Sequence, residues 1–131
     1  MNLVVKSLSQ TLSDSLIREC RAKLIEARAD ILNRVRNSRV EFDTLDKTGG
    51  DEADQTMNLI AEQDFLASQQ RLTELLIEVD LALVRIEKGS YGVCEETEES
   101  IEVERLRALP WTRLSIEGAE IREAARRRYA R

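Results

Sequence analysis

Few residues in this chain could do chemistry, and their spacing is informative. Cys94 closes the stretch Gly89-Ser90-Tyr91-Gly92-Val93-Cys94, in which a tight glycine turn presents a thiol. That is the wrapping of a metal knuckle, and structural zinc in such a knuckle takes four tetrahedral ligands, usually thiolates or imidazoles. Three residues on, where a partner thiol would stand, there is Thr97. The glutamates that follow (Glu95, Glu96, Glu98, Glu99) read as exposed surface rather than as ligands. The chain has no histidine, which removes the usual acid–base catalyst and the commonest metal ligand. Elsewhere, Asp51 and Asp54 stand three apart just after Gly49-Gly50. Either carboxylate can start a helix by accepting bonds from its free N–H groups.

The elements that carry these residues read as long helices. From residue 12 to about 45 there is no glycine or proline. Ile17, Cys20, Leu24, Ala27 and Ile31 recur at alternating three- and four-residue steps, a coiled-coil seam. Continued at the same steps, the seam passes Arg34, Ser38, Glu41 and Leu45, so the apolar stripe is expected to fade. Gly49-Gly50 supplies a helix stop. A second helix is expected from about Asp54 to Glu87, with Asn58, Ala61, Phe65, Ser68, Leu72, Leu75, Val79, Ala82 and Ile86 as its seam. Two such helices joined by a short turn pair as an antiparallel hairpin. Its arms are glued by Leu, Ile and Val at the base and by little but helix propensity at the tip. Lys88-Gly89 and Tyr91-Gly92 break the pattern, and Pro110 suits the first turn of a last helix. That helix is expected from Pro110 or Trp111 to Tyr129, weakened in its middle by Gly118.

Composition bounds the function classes. The 131 residues are 34% charged and 4% aromatic, with one proline and five glycines, which favours a mainly α single domain with an extension. No apolar run reaches membrane-spanning length, and the N-terminus MNLVVKSLSQ does not read as a secretory signal. Two distant cysteines fit reduced thiols in a cytoplasm. A net charge of −5 disfavours general nucleic-acid binding. The charge is uneven: Glu95 to Glu104 is acidic, while Arg122, Arg126, Arg127, Arg128 and Arg131 make a basic tail that suits a helix C-terminus.

At two stretches the chain resembles the DksA/TraR transcription factors. The family's knuckle pattern is G-x-Y-G-x-C-x-x-C-G-x-x-I-x-x-x-R-L-x-A-x-P, followed by a second C-x-x-C. Gly89, Tyr91, Gly92, Cys94, Ile101, Arg105, Leu106, Ala108 and Pro110 match it, nine positions over 22 residues. The family's hairpin tip, D-x-x-D-x-A, is matched by Asp51 and Asp54 and departed from at Thr56. The resemblance is firm over residues 49–118. It divides the chain into 1–87, an N-terminal segment and coiled-coil hairpin with its tip near 46–56, and 88–131, a degenerate zinc-finger-like region with a C-terminal helix.

The resemblance implies a non-enzymatic, monomeric cytoplasmic regulator that binds RNA polymerase rather than DNA or membrane. Its hairpin would enter the polymerase secondary channel and place Asp51, Asp54 and Thr56 near the active centre. Arg71 and Arg105 would meet the channel rim. The family's four zinc positions fall on Cys94, Thr97, Ser115 and Gly118, so no structural zinc and no cofactor are expected. In place of the metal, Tyr91, Ile101, Val103, Leu106, Leu109, Trp111, Leu114 and Ile116 are expected to form a small apolar core around a buried Cys94. Members that respond to ppGpp use basic rim residues. Three of those positions are Glu78, Leu109 and Ala119 here, so ppGpp binding through them is not expected. Two other readings keep the helices: a coiled-coil adaptor or oligomerisation module without polymerase, and a factor that stimulates transcript cleavage by holding a second Mg²⁺ at the tip.

Overall fold

The structure, a computed structural model, describes residues 12–44 and 50–130. The expected N-terminal segment, Leu45 of the first seam, the tip residues 46–49 and Arg131 lie outside the described residues. The described chain is built from four helices: α1 (Asp14–Thr44), α2 (Glu52–Lys88), α3 (Val103–Ala108) and α4 (Ile116–Tyr129). Among the described residues there is no strand; one antiparallel bridge joins Val93 and Ser100. No helix among them is long and apolar enough to cross a membrane.

Side-chain caps set where the helices begin. Ser13 Oγ accepts the Leu16 N–H at 3.0 Å and starts α1. Asp51 Oδ1 accepts the Asp54 N–H at 3.0 Å, so α2 begins at Glu52, two residues before the expected start. Gly50 precedes it at φ +100°, a conformation that L side chains rarely adopt. Ser115 Oγ accepts the Gly118 N–H at 3.0 Å and starts α4. The last helix therefore begins at Ile116 and not at Pro110. Pro110 is instead buried in a turn, where its carbonyl accepts the Tyr91 hydroxyl at 2.8 Å.

The chain forms two compact units. One is Ala27–Ile77, the far parts of α1 and α2. In it the helices run antiparallel: the Gln69 amide donates to the Val35 carbonyl at 3.4 Å, and Phe42 stacks on Phe65. The seam of α2 falls where the sequence places it, with none of its nine residues exposed. The seam of α1 does not. After Ile31 it takes a four-residue step to Val35 and continues through Ser38 and Phe42, while Arg34 and Glu41 are exposed. The expected fading of the stripe is thus corrected. Stepping by four keeps an apolar side chain at the interface, and Phe42 closes it.

The other unit is built from the residues before Ala27 and after Ile77. Its core is Leu12, Leu16, Cys20 and Leu24 of the N-terminal side, Val79 and Ala82 of α2, and Tyr91, Cys94, Ile101 and Leu106 of the knuckle. Burial of each large side chain contributes roughly 1.5–3 kcal/mol. Val103, Leu109 and Ile116, expected in this core, are exposed. The short α3, which the sequence reading did not separate, turns Leu106 inward and leaves Val103 and Leu109 facing water.

Candidate functional site

The tip carboxylates sit at the first turn of α2. Asp51 and Asp54 are both exposed, and Asp51 spends one carboxylate oxygen on the cap. Thr56 is exposed as well, and its hydroxyl donates to the Glu52 carbonyl at 2.9 Å. A Cβ on Gly50 would run into the Asp54 carboxylate, so the glycine makes room for that side chain. The arrangement holds two negative groups one turn apart at a helix N-terminus, where the backbone dipole favours them. They are free to meet a cation or a donor on another molecule.

The knuckle keeps its backbone. The Cys94 N–H donates to Glu99 O at 2.8 Å, the Ile101 N–H to Gly92 O at 2.8 Å and the Glu98 N–H to Cys94 O at 2.9 Å. Gly92, at φ +86°, lets Leu12 pack against its Cα. Around the Cys94 sulfur stand Ser115, whose hydroxyl lies 3.4 Å away, and Gly118, whose missing Cβ makes space for it. Burial pushes the Cys94 thiol up, but hydrogen bonds from the side chains and backbone of Ser115 and Thr97 outweigh this and bring it to about 7. The acidic loop is laced to the rest of the unit. Arg122 of α4 meets Glu96 at 3.0 Å and Glu95 at 3.5 Å, and Arg113 meets Glu78 at 3.2 Å and Glu95 at 3.5 Å. These pairs are part-exposed and each contributes little, roughly 0–1 kcal/mol.

The two arginines singled out from the sequence differ. Arg71 is exposed on α2. Arg105 is half-buried and donates through Nε to the Leu114 carbonyl at 2.8 Å. Arg71 shares the Ala27–Ile77 unit with the tip residues, and Arg105 belongs to the other unit.

A family model described as the prokaryotic dksA/traR C4-type zinc finger matches residues 89–124. The chain is 34% identical over 119 residues to the RNA polymerase-binding transcription factor DksA of Caulobacter vibrioides, covering 88% of this chain and 82% of that one. This chain belongs to the DksA/TraR family. The solved structure of transcription factor DksA2 from Pseudomonas aeruginosa superposes with a TM-score of 0.76 at 31% identity, over 88% of both chains. The RNA polymerase binding protein and transcriptional regulator Dks from Chlamydia trachomatis shares the fold, with a TM-score of 0.53 at 24% identity over 87% of this chain and 94% of that one.

Membership of the DksA/TraR family corrects the expectation of no metal and no cofactor: the matching family model is a zinc finger, so zinc is the group the family implies here. The side chains at the four positions are a separate question of fit. They supply one thiol at Cys94, hydroxyls at Thr97 and Ser115, and no donor at Gly118. The Ser115 hydroxyl already caps α4, and a side chain on Gly118 would strike the Cys94 sulfur. Among the described residues no three of His, Cys, Asp or Glu gather as a metal cage. This donor set does not fit a four-cysteine site.

Sequence reasoning missed the role of Ser115 as a cap, although Ser before Ile-Glu-Gly is a recognisable start signal. It also missed Arg85, which lies half-buried in α2. Its guanidinium donates to the carbonyls of Trp111 at 3.2 Å and Thr112 at 3.5 Å, tying α2 to the segment before α4. Burial lowers the pKa of that arginine, and Glu95 and Glu78 counter the shift. Nothing in a linear pattern marks a cation that serves carbonyls more than twenty residues away.

Proposed function

We propose that this chain regulates transcription by binding RNA polymerase directly, in the cytoplasm, without catalysing a reaction itself. The observation that carries this reading is the 34% identity, over most of both chains, to a relative named for polymerase binding. In this reading the α1–α2 hairpin enters the secondary channel, and Asp51, Asp54 and Thr56 work near the active centre. There the two carboxylates perturb a magnesium-dependent site through charge and hydrogen bonds. The Thr56 hydroxyl is bonded back to the Glu52 carbonyl. Arg71 meets acidic groups at the channel rim, joined by the nitrogens of Arg105 that Leu114 does not engage.

The experiment is competition for the secondary channel on purified polymerase, run beside a transcription assay. Wild type is expected to compete and to alter transcript yield. Asp54→Asn is expected to compete equally and lose the effect on yield, because its side chain is exposed and only its backbone joins the cap. Asp51→Asn keeps an oxygen for the cap and tests the second charge. Failure of the wild type to bind polymerase ends the reading and leaves the coiled-coil adaptor.

A further inference from the structure

The end of α4 joins three guanidiniums to a bare aromatic ring. Arg126, Arg127 and Arg128 stand in a row, and Tyr129 follows them as the last residue of the helix. All four are exposed. Tyr129 is 91% exposed, the most of any large hydrophobic side chain among the described residues. Its ring and hydroxyl meet no partner there. At about 100° per residue, Arg126 and Arg128 flank Tyr129 around the helix, one on each side.

Helix stability does not account for this set. The backbone dipole favours cations in a last turn, but it gives an aromatic no role. Glu123 serves both Arg126 and Arg127, so two guanidiniums share one carboxylate. Arg128 has no ion pair or side-chain hydrogen bond among the described residues. The surplus is local. One turn earlier Arg122 is matched by Glu95 and Glu96, and the whole chain carries −5. No Leu, Ile, Val or Met follows Ile121, so the tyrosine ring is the one large apolar side chain at this end.

We propose that the end of α4, at Arg126, Arg128 and Tyr129, binds single-stranded RNA. The ring stacks on a base, and the guanidiniums on either side meet the flanking phosphates. Stacking on an aromatic beside a cationic track is how proteins hold single strands without reading their sequence. A duplex keeps its base faces stacked inside, where an exposed ring cannot reach them. An acidic protein surface would meet the arginines, but the packed core of a protein interface also takes apolar side chains, and this end offers no aliphatic one. The choice of RNA over a DNA strand rests on the function proposed above, in which the transcript is the single strand at hand.

The test is fluorescence anisotropy of a labelled single-stranded RNA of about 12 nucleotides, titrated with the full chain at several salt concentrations. The same strand as DNA and a DNA duplex are run beside it, all without polymerase. Y129A is expected to weaken RNA binding about fivefold or more with the salt slope unchanged, and Y129F to bind like wild type. R126Q/R128Q is expected to flatten the slope of log K against log salt by about 1.4, two phosphate contacts at about 0.7 each. These side chains are exposed, so helical content and melting temperature should not change. If wild type binds no RNA, or Y129A binds it as tightly as wild type, the proposal falls while the proposed function stands. RNA binding by a wild type that fails to bind polymerase would support this contact and end the proposed function. Tighter binding of the duplex, or equal binding of the DNA strand, would overturn the assignment to RNA. Polymerase binding lost in Y129A, with no RNA binding in wild type, would give this end a protein occupant instead.

Discussion

Phe42 of α1 and Phe65 of α2 lie face to face, with ring centroids 4.2 Å apart and planes within 7°. Stacked pairs contribute roughly 0.5–1.5 kcal/mol beyond the area they bury. Around them are Ser38, Glu41, Ala61, Asp64 and Ser68, which offer little apolar surface. The ring pair is therefore expected to be the main fastening of this part of the Ala27–Ile77 unit. Phe42→Ala should cost about 1–3 kcal/mol locally, read as faster amide exchange over residues 35–44 and 58–68. Exchange in Tyr91, Cys94 and Leu106 should barely change. Uniform acceleration across the chain would mean that the pair is not a local fastening.

The same pair shows what the sequence did and did not make legible. The α2 seam is a regular heptad run, and regular periodicity is the strongest signal a sequence carries, so its nine positions were readable in advance. The α1 seam changes step at Ile31, and extending the earlier rhythm selects Arg34 and Glu41 where Val35 and Phe42 do the packing. Choosing between two registers needs knowledge of the facing helix, which a single strip of sequence does not hold. The start of α2 was legible because the Asp51 cap on the Asp54 N–H is a local feature. The knuckle interior was half legible. Tyr91, Cys94, Ile101 and Leu106 are buried as expected, and the Ser115 cap three residues before Gly118 was there to be read, but the carbonyl-binding role of Arg85 depends on residues distant in the chain.

Gly118 is a tight point of the knuckle. In a helix, replacing glycine by alanine gains up to about 1 kcal/mol. Here the added methyl would strike the Cys94 sulfur, and its next neighbour, Ser115 Oγ, would lie at 3.3 Å. Overpacking of this kind costs about 1–3 kcal/mol, so the clash should win and Gly118→Ala should destabilise. Truncating the sulfur frees the space. In a Cys94→Ala background, Gly118→Ala is expected to be neutral or stabilising. A double-mutant cycle of denaturant unfolding reads the coupling directly. Additive effects would place the glycine's role elsewhere.

Glu98 adopts φ +61°, the one described non-glycine residue in the left-handed region. In the DksA/TraR knuckle pattern that step is a glycine. An L residue in this conformation costs roughly 1–2 kcal/mol, offset in part by the greater freedom glycine has when unfolded. The turn itself is held by the Glu98 and Glu99 N–H bonds to Cys94 O and Thr97 Oγ1, and neither needs the Glu98 side chain. Glu98→Gly should therefore stabilise by up to about 1 kcal/mol, a rise of roughly 3–5 °C in Tm. Glu98→Val, β-branched at a positive φ, should lower it.

Tyr91 gives the fold a pH dependence with a definite sign. Its hydroxyl is buried and donates to Pro110 O at 2.8 Å. Burial, reinforced by a hydrogen bond and charge interaction with Cys20 and opposed by the Arg85 charge, pushes its pKa far above the usual tyrosine value. The unfolded chain ionises this group near pH 10 while the folded chain does not. The contribution of Tyr91 is thus fully present below about pH 10 and falls above it by up to about 1.4 kcal/mol per pH unit. Tyr91→Phe removes the titrating group. At neutral pH the variant should be less stable by about 1–2 kcal/mol, because a buried carbonyl loses its donor. Above about pH 10 the gap should narrow and, near pH 11, close. Urea unfolding of both proteins from about pH 8 to 11 measures it. Parallel stability profiles would show that the hydroxyl ionises as easily in the fold as in water and would overturn this reading.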